Sequence, residues 1–149
     1  MKHNNLFLWL LGLTVCWLAS CSEEDGRVTY PYSCPEISEL QFSTTAQTPA
    51  ADSLYFSVKI HDPQTPLSTL EVKLMTGETL VSSQSIRTKG TDVSIVEKGI
   101  YIPFEAGLEE NQEAKVILTA INVEGSEVTQ TFDFHITRPQ IPEVLYLHY

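Results

Sequence analysis

The sequence predicts an all-β fold, an antiparallel β-sandwich of seven to eight strands, on three observations. Between residues 35 and 137 the apolar residues recur with a period of two, in short runs. Turn-forming stretches divide these runs at intervals of roughly 8–12 residues. No segment of this span carries a helical period.

Each strand has its own warrant. Residues 36–43, with Leu40 and Phe42, form the first, although Ile37 breaks its alternation. Leu54, Phe56, Val58 and Ile60 alternate without fault with Tyr55, Ser57, Lys59 and His61, the pattern of a half-buried strand. Asp62-Pro63-Gln64-Thr65-Pro66 is a turn, because the prolines fix φ and the Asp62 carboxylate bonds the backbone that follows. Leu70, Val72 and Leu74 give the next inward row. Thr76-Gly77 closes a tight hairpin into residues 78–86, a Ser- and Gln-rich strand suited to a sheet edge. After a turn at Lys89-Gly90, Val93 with Ile95, then Ile100, Ile102 and Phe104, supply two further inward rows. Residues 105–112 form a polar loop whose Leu108 plugs the bottom of the core. Ala114, Val116, Leu118 and Ala120 make a long strand with Ile117 and Ile121 on its other face, the two-sided pattern of a central strand. Glu124-Gly125-Ser126 turns the chain into the last strand, with Phe132, Phe134 and Ile136 inward. A domain over 35–137 has the size of an immunoglobulin-like sandwich.

The chain ahead of this domain reads as an address. Residues 1–5 are polar with one basic residue, and Leu6 to Leu18 is an apolar run of 13 residues. That is too short to cross a hydrocarbon core, which takes about 20 residues of helix, so residues 1–20 read as a secretory signal. Leu18-Ala19-Ser20-Cys21 resembles the lipobox of bacterial lipoproteins. The resemblance implies that the Cys21 thiolate attacks a lipid donor, and that Cys21 then becomes an acylated N-terminus. Each buried CH₂ contributes about 0.8 kcal/mol, and stable anchoring takes two membrane signals, which multiple acylation supplies. Ser22-Glu23-Glu24-Asp25-Gly26 resembles the tag that sends Bacteroidota lipoproteins to the outer face of the outer membrane. The same run is also what a solvated acidic tether looks like. Residues 21–34 read as that lipidated tether, made extended by Pro31 and its neighbours.

Composition excludes several classes of partner. Lys2 is the only charged residue before Cys21, so the remaining chain has 8 basic and 19 acidic side chains and a net charge of −11. Nucleic acid and anionic lipid both demand basic patches. With Cys16 in the signal and Cys21 lipidated, Cys34 has no partner for an intrachain disulfide. Both tryptophans, Trp9 and Trp17, also lie in the signal.

No catalytic constellation is present. His61, His135 and His148 stand alone, without ligands at a metal-like spacing, and His61 and His135 fall on outward parities. No nucleophile elbow, phosphate-cradling glycine loop or zincin helix occurs, and no cofactor is implied. Nineteen carboxylates offer chance pairs but no cleft for a glycosidase. Asp62 could join a calcium site, yet the clustered ligands of cadherin linkers are missing, and capping its own turn is the simpler role. Tyr55 and Tyr101 sit on outward parities and form a candidate glycan platform, although cross-strand packing explains exposed tyrosines equally well.

Residues 62–70, and Ala120 to Gly125 leading into Phe132-Asp133-Phe134, resemble bacterial immunoglobulin-like modules. More narrowly they resemble the N-terminal domains of surface lipoproteins in polysaccharide-utilisation systems, the SusE-like and surface-glycan-binding class. Lacking a core Trp and an inter-sheet disulfide, the domain is similar to the cadherin or fibronectin III side of the fold. The resemblance implies a non-enzymatic spacer or docking module, with a SusC/SusD-type transporter complex or polysaccharide as partner. Arg138-Pro139-Gln140-Ile141-Pro142 reads as a stiff linker, and residues 144–149 as the opening of a further domain or an extra strand. The expectation is therefore a surface-exposed, outer-membrane-anchored spacer. The alternatives are a module that itself binds polysaccharide, and an adhesin or pilus-type subunit.

Overall fold

A computed structural model describes residues 29–140. The expectations for the signal, for Cys21 and Ser22 to Gly26, and for the segment after Gln140 lie outside the described residues.

The chain forms eight strands: β1 (Glu36–Phe42), β2 (Gln47–Pro49), β3 (Ser53–His61), β4 (Leu67–Thr76), β5 (Thr79–Arg87), β6 (Asp92–Tyr101), β7 (Gln112–Asn122) and β8 (Glu127–Thr137). They make a three-stranded sheet, β1-β3-β6, facing a five-stranded sheet, β2-β8-β7-β4-β5. The inward rows anticipated on β3, β4 and β7 meet between the sheets. Leu54, Phe56, Val58 and Ile60 from one side pack with Leu70, Val72, Leu74, Val116 and Leu118 from the other, all essentially excluded from solvent. This burial is the main favourable term in a domain with no disulfide among its described residues. As expected of a two-sided strand, β7 lies in the middle of its sheet, between β4 and β8. β5, the polar strand, lies at the edge beside β4, reached through a hairpin in which Gly77 takes φ +59°. β5 extends the sheet that holds β4, β7 and β8, unlike the fourth strand of an antibody constant domain, which joins the sheet of its first two strands.

Several details differ from the sequence reading. The sandwich is not wholly antiparallel: the unanticipated β2 pairs with β8 in parallel, Thr48 opposite Ile136. Three residues ending in Pro49 carry too little pattern to be read as a strand. The two rows around 93–95 and 100–104 belong to the single strand β6, whose register with β3 shifts between Phe56 and Val58. Glu97 sits in that irregularity with φ +48°. The extra residue restores Ile95 and Ile100, which differ in parity, to the same inward face. Glu39, also at φ +48°, does the same for Ile37 and Leu40 on β1, where the register shifts between Ser38 and Gln41. Both breaks of alternation in the sequence were thus bulges. Phe104 leaves the strand to open a 3₁₀ turn (Phe104–Gly107) and is half-exposed. Leu108 does not plug the core; it is 63% exposed, and Ile102 fills the bottom instead. Gly107 must lack a side chain, since a Cβ there would lie 2.4 Å from the Ala50 Cβ and 2.8 Å from the Thr137 carbonyl.

One long edge of the sandwich is closed by aromatics. Phe42 of β1 stacks on Phe132 of β8, with ring centroids 4.0 Å apart and planes 11° from parallel, and Phe132 continues to Phe134 at 5.9 Å. β1 begins opposite His61 at one pole, whereas β8 ends with Gln112 opposite its Ile136 at the other. The described chain therefore enters and leaves at opposite ends of an eleven-residue strand, a span of about 35 Å.

Candidate functional site

Two groups of polar side chains stand out, and their geometry assigns them different roles. The first lies at the pole where the chain enters. The β3–β4 corner carries Asp62, completely buried, whose Oδ1 accepts the backbone N–H of Gln64 (3.0 Å) and Thr65 (2.8 Å). That is the turn-capping role read from the sequence. The same carboxylate also accepts the hydroxyl of Ser33, and its Oδ2 accepts Asn122 Nδ2 at 3.1 Å. Asn122, at the end of β7, donates to the Ser33 carbonyl (3.0 Å), and its Oδ1 accepts the N–H of Glu124 and Ser126. Thr65 Oγ1, 2.9 Å from Ser33 Oγ, donates onward to the Pro31 carbonyl (3.0 Å).

These bonds correct the picture of a tether extended up to residue 34. Ser33 is buried, and its segment is latched to the sandwich three residues before β1 begins. Burial pushes the Asp62 carboxyl up, but Ser33, Thr65, Asn122 and Gln64 outweigh it as donors and bring the pKa down to about 2. The Asp62 turn is legible in the sequence but its partners are not, since they lie 29 and 60 residues away in the chain. Each buried side chain of the knot is hydrogen-bonded within the protein, which is the pattern of a structural fastening.

The second group lies on the outer face of the three-stranded sheet. Where β1 ends and the register shift of β6 loosens the pleat, a groove of about 400 Å³ opens. Tyr55 walls it and Gln41, Ser43, Ser57 and Glu97 rim it, while Phe42 and Phe56, whose rings pack into the core, back it from beneath. Tyr55 is 47% exposed, and its ring leans across to β6, where Gly99 faces it in register. A Cβ on Gly99 would come within 3.2 Å of Tyr55 Cε1 and push the ring by a few tenths of an ångström. Ser43 Oγ accepts the Tyr55 N–H (3.1 Å) and Ser57 Oγ accepts the Glu97 N–H (3.0 Å), which leaves both hydroxyl hydrogens outside those bonds. Among the described residues the Gln41 and Glu97 side chains have no hydrogen-bond partner.

The other expected residues fall elsewhere. Tyr101 is 59% exposed on the same strand as Gly99 but faces Ser53 and does not line the groove. The structure thus does not join the two tyrosines into one platform. His61 is outward and bonds Asp92 (Nδ1–Oδ1 2.7 Å). His135, also outward, lies in an open groove on the larger sheet among Glu78, Glu113, Lys115 and Asp133. Among the described residues, no three His, Cys, Asp or Glu side chains are placed to hold a metal ion. Cys34 is exposed, its Sγ 3.3 Å from the Tyr32 hydroxyl.

Comparison with known proteins supports the fold and names a family. The crystal structure of wild-type OgpA from Akkermansia muciniphila superposes with a TM-score of 0.54 at 19% identity, over 78% of this chain and 31% of that one. This chain thus spans under a third of that protein's length, and the likeness is one of fold. A crystal structure of an engineered protein reaches a TM-score of only 0.37 at 13% identity, over 69% of this chain and 20% of that one. No curated protein matches the chain. The domain of unknown function DUF5016 matches residues 6–127, from the start of the apolar run to the first residue of β8, and the chain belongs to that family.

Proposed function

We propose that this chain is a non-catalytic surface module that stands between a lipid anchor at Cys21 and whatever it presents at its far pole. Cys21, acylated, holds it to the outer membrane, and Ser22 to Gly26 direct it to the cell surface. A SusC/SusD-type transporter complex in a glycan-capture system is the partner this arrangement suits. The observation that carries the reading is the in-line path of the chain. Ser33 is locked into the knot at one pole and β8 ends at the other. A rod with its two attachment points at opposite ends, one of them clamped, transmits orientation as well as distance.

The clamp also fixes the length of the leash. Twelve residues separate Cys21 from Ser33, a reach of at most about 40 Å at full extension. The sandwich, about 35 Å long, then carries its far pole clear of the surface. Mass spectrometry of the mature N-terminus tests the anchor: a thioether-linked diacylglycerol and an amide-linked acyl chain on Cys21 are expected, and an unmodified Cys21 removes the premise. Protease shaving of intact cells tests the face of the membrane. The module is expected to be lost from intact cells, and protection until the cells are lysed would place it on the periplasmic side.

A further inference from the structure

We infer that the groove beside Tyr55 is a binding site for one unit of a neutral polysaccharide, with Tyr55 as its platform and Gln41 and Glu97 as its hydrogen-bonding arms. The inference stands independently of the lipid anchor, since it concerns the outer face of the β1-β3-β6 sheet alone.

The chemistry of the groove selects the ligand. Tyr55 presents carbon, while Gln41, Ser43, Ser57 and Glu97 present hydrogen-bonding groups around it. A ligand that matches needs an apolar face and a rim of hydroxyls on the same rigid ring, which describes a pyranose. The Gln41 amide both donates and accepts, the Glu97 carboxylate accepts, and the two serine hydroxyls donate, so vicinal hydroxyl groups find complements of either sense. The lining contains a carboxylate and no cation, so an anionic sugar would face an unpaired like charge on an acidic protein. At about 400 Å³ the groove is within the size range of small-ligand sites.

The site is also pre-formed. Tyr55 is set between Gly99 and the end of β1, its N–H held by Ser43 and its carbonyl accepting the Ser43 N–H at 2.9 Å. The backbone that carries the ring is thus fixed before binding, which lowers the cost of ordering the site when a sugar stacks on it. Glu97 is fixed by its own N–H bond to Ser57, in a left-handed conformation that a β-carbon resists.

The test is affinity electrophoresis of the mature chain in native gels containing, one at a time, a β-glucan, a mannan, a galactan and polygalacturonate. The expected result is retardation by at least one of the three neutral polymers and none by polygalacturonate. Tyr55→Ala should weaken retardation about tenfold or more, the worth of a good aromatic contact, while Tyr101→Ala migrates as the parent does. Gly99→Ala, which displaces the Tyr55 ring, should weaken it without removing any group of the groove. Gln41→Ala carries the same test if Tyr55→Ala fails to fold. The inference is overturned if none of the neutral polymers retards the parent, if Tyr101→Ala loses as much as Tyr55→Ala, or if polygalacturonate is the preferred polymer.

Discussion

The same three kinds of side chain, a serine, a carboxylate and a carboxamide, are gathered twice in this domain. At the entry pole they are Ser33, Asp62 and Asn122, buried and bonded to one another. In the groove they are Ser57, Glu97 and Gln41, facing water beside an exposed ring. Only the surroundings differ. Inside the protein each donor has been matched to an acceptor, because an unmatched one costs about 1–3 kcal/mol. On the sheet face water satisfies what the protein leaves open, so the groups remain available. Residue type therefore says little about function here, and the state of each hydrogen-bonding valence says a good deal.

The comparison breaks first at Asp62. Asp62→Ala strips the acceptor from Ser33 Oγ, Asn122 Nδ2 and two backbone N–H groups at once. The expected loss is about 3 kcal/mol or more, seen as a lower urea midpoint at unchanged slope. A loss below about 1 kcal/mol, within the range of ordinary substitutions, would mean that the knot is not the fastening described. Acid reports on the same group. Because the folded pKa lies below the ordinary carboxylate value, at about 2, the stabilisation is full above pH 4 and disappears as pH falls toward 2. The shift from 3.8 corresponds to roughly 2 kcal/mol. Urea titrations at several pH values between 5 and 2 should show the parent losing this increment relative to Asp62→Asn, whose amide does not titrate. Parallel curves for the two proteins would contradict it.

Ser33→Ala should cost less, about 1–2 kcal/mol, and its effect should be local. The residues before β1 are expected to gain hydrogen exchange and proteolytic cleavage while the rest of the sandwich keeps its protection. If cleavage before Glu36 is unchanged, the chain is held there by something other than the Ser33 bonds, and the clamp at the base of the rod loses its residue.

Much of this architecture was legible in the order of residues, and the misses share a cause. The rows on β3, β4, β7 and β8 could be read because each pairs an uninterrupted alternation with a buried face. Ile37 reads as a fault in its strand, and Ile95 and Ile100 as two separate rows, because alternation counts residues, whereas a bulge removes one residue from the count. A change of parity inside an otherwise regular run was the available signal. Phe104 continues the period of Ile100 and Ile102, and Leu108 is the large apolar residue of a polar loop, but the 3₁₀ turn Phe104–Gly107 that redirects both is fixed by Gly107 against Ala50 and Thr137. The site divided in the same way. Tyr55 and Tyr101 were both visible as outward tyrosines, and only the tertiary fold could show that Gly99, Gln41 and Glu97 surround the first and not the second.

The smallest expected effect separates the two regions most sharply, because its sign should differ. Glu97 occupies φ +48° with a full side chain, a conformation that costs a residue with a β-carbon on the order of 1 kcal/mol. Glycine there removes the strain, while its greater freedom in the unfolded chain returns roughly 0.5–1 kcal/mol of that gain. Glu97→Gly should thus leave the urea midpoint unchanged or slightly higher, whereas removing Asp62 can only lower it. If the residue were present for the backbone, glycine would be the better choice at no loss. Its carboxylate is worth keeping only if something outside the fold uses it, so Glu97→Gly should pair undiminished stability with weakened polysaccharide retardation. A variant that is less stable and still retarded would assign Glu97 to the bulge and take it out of the site.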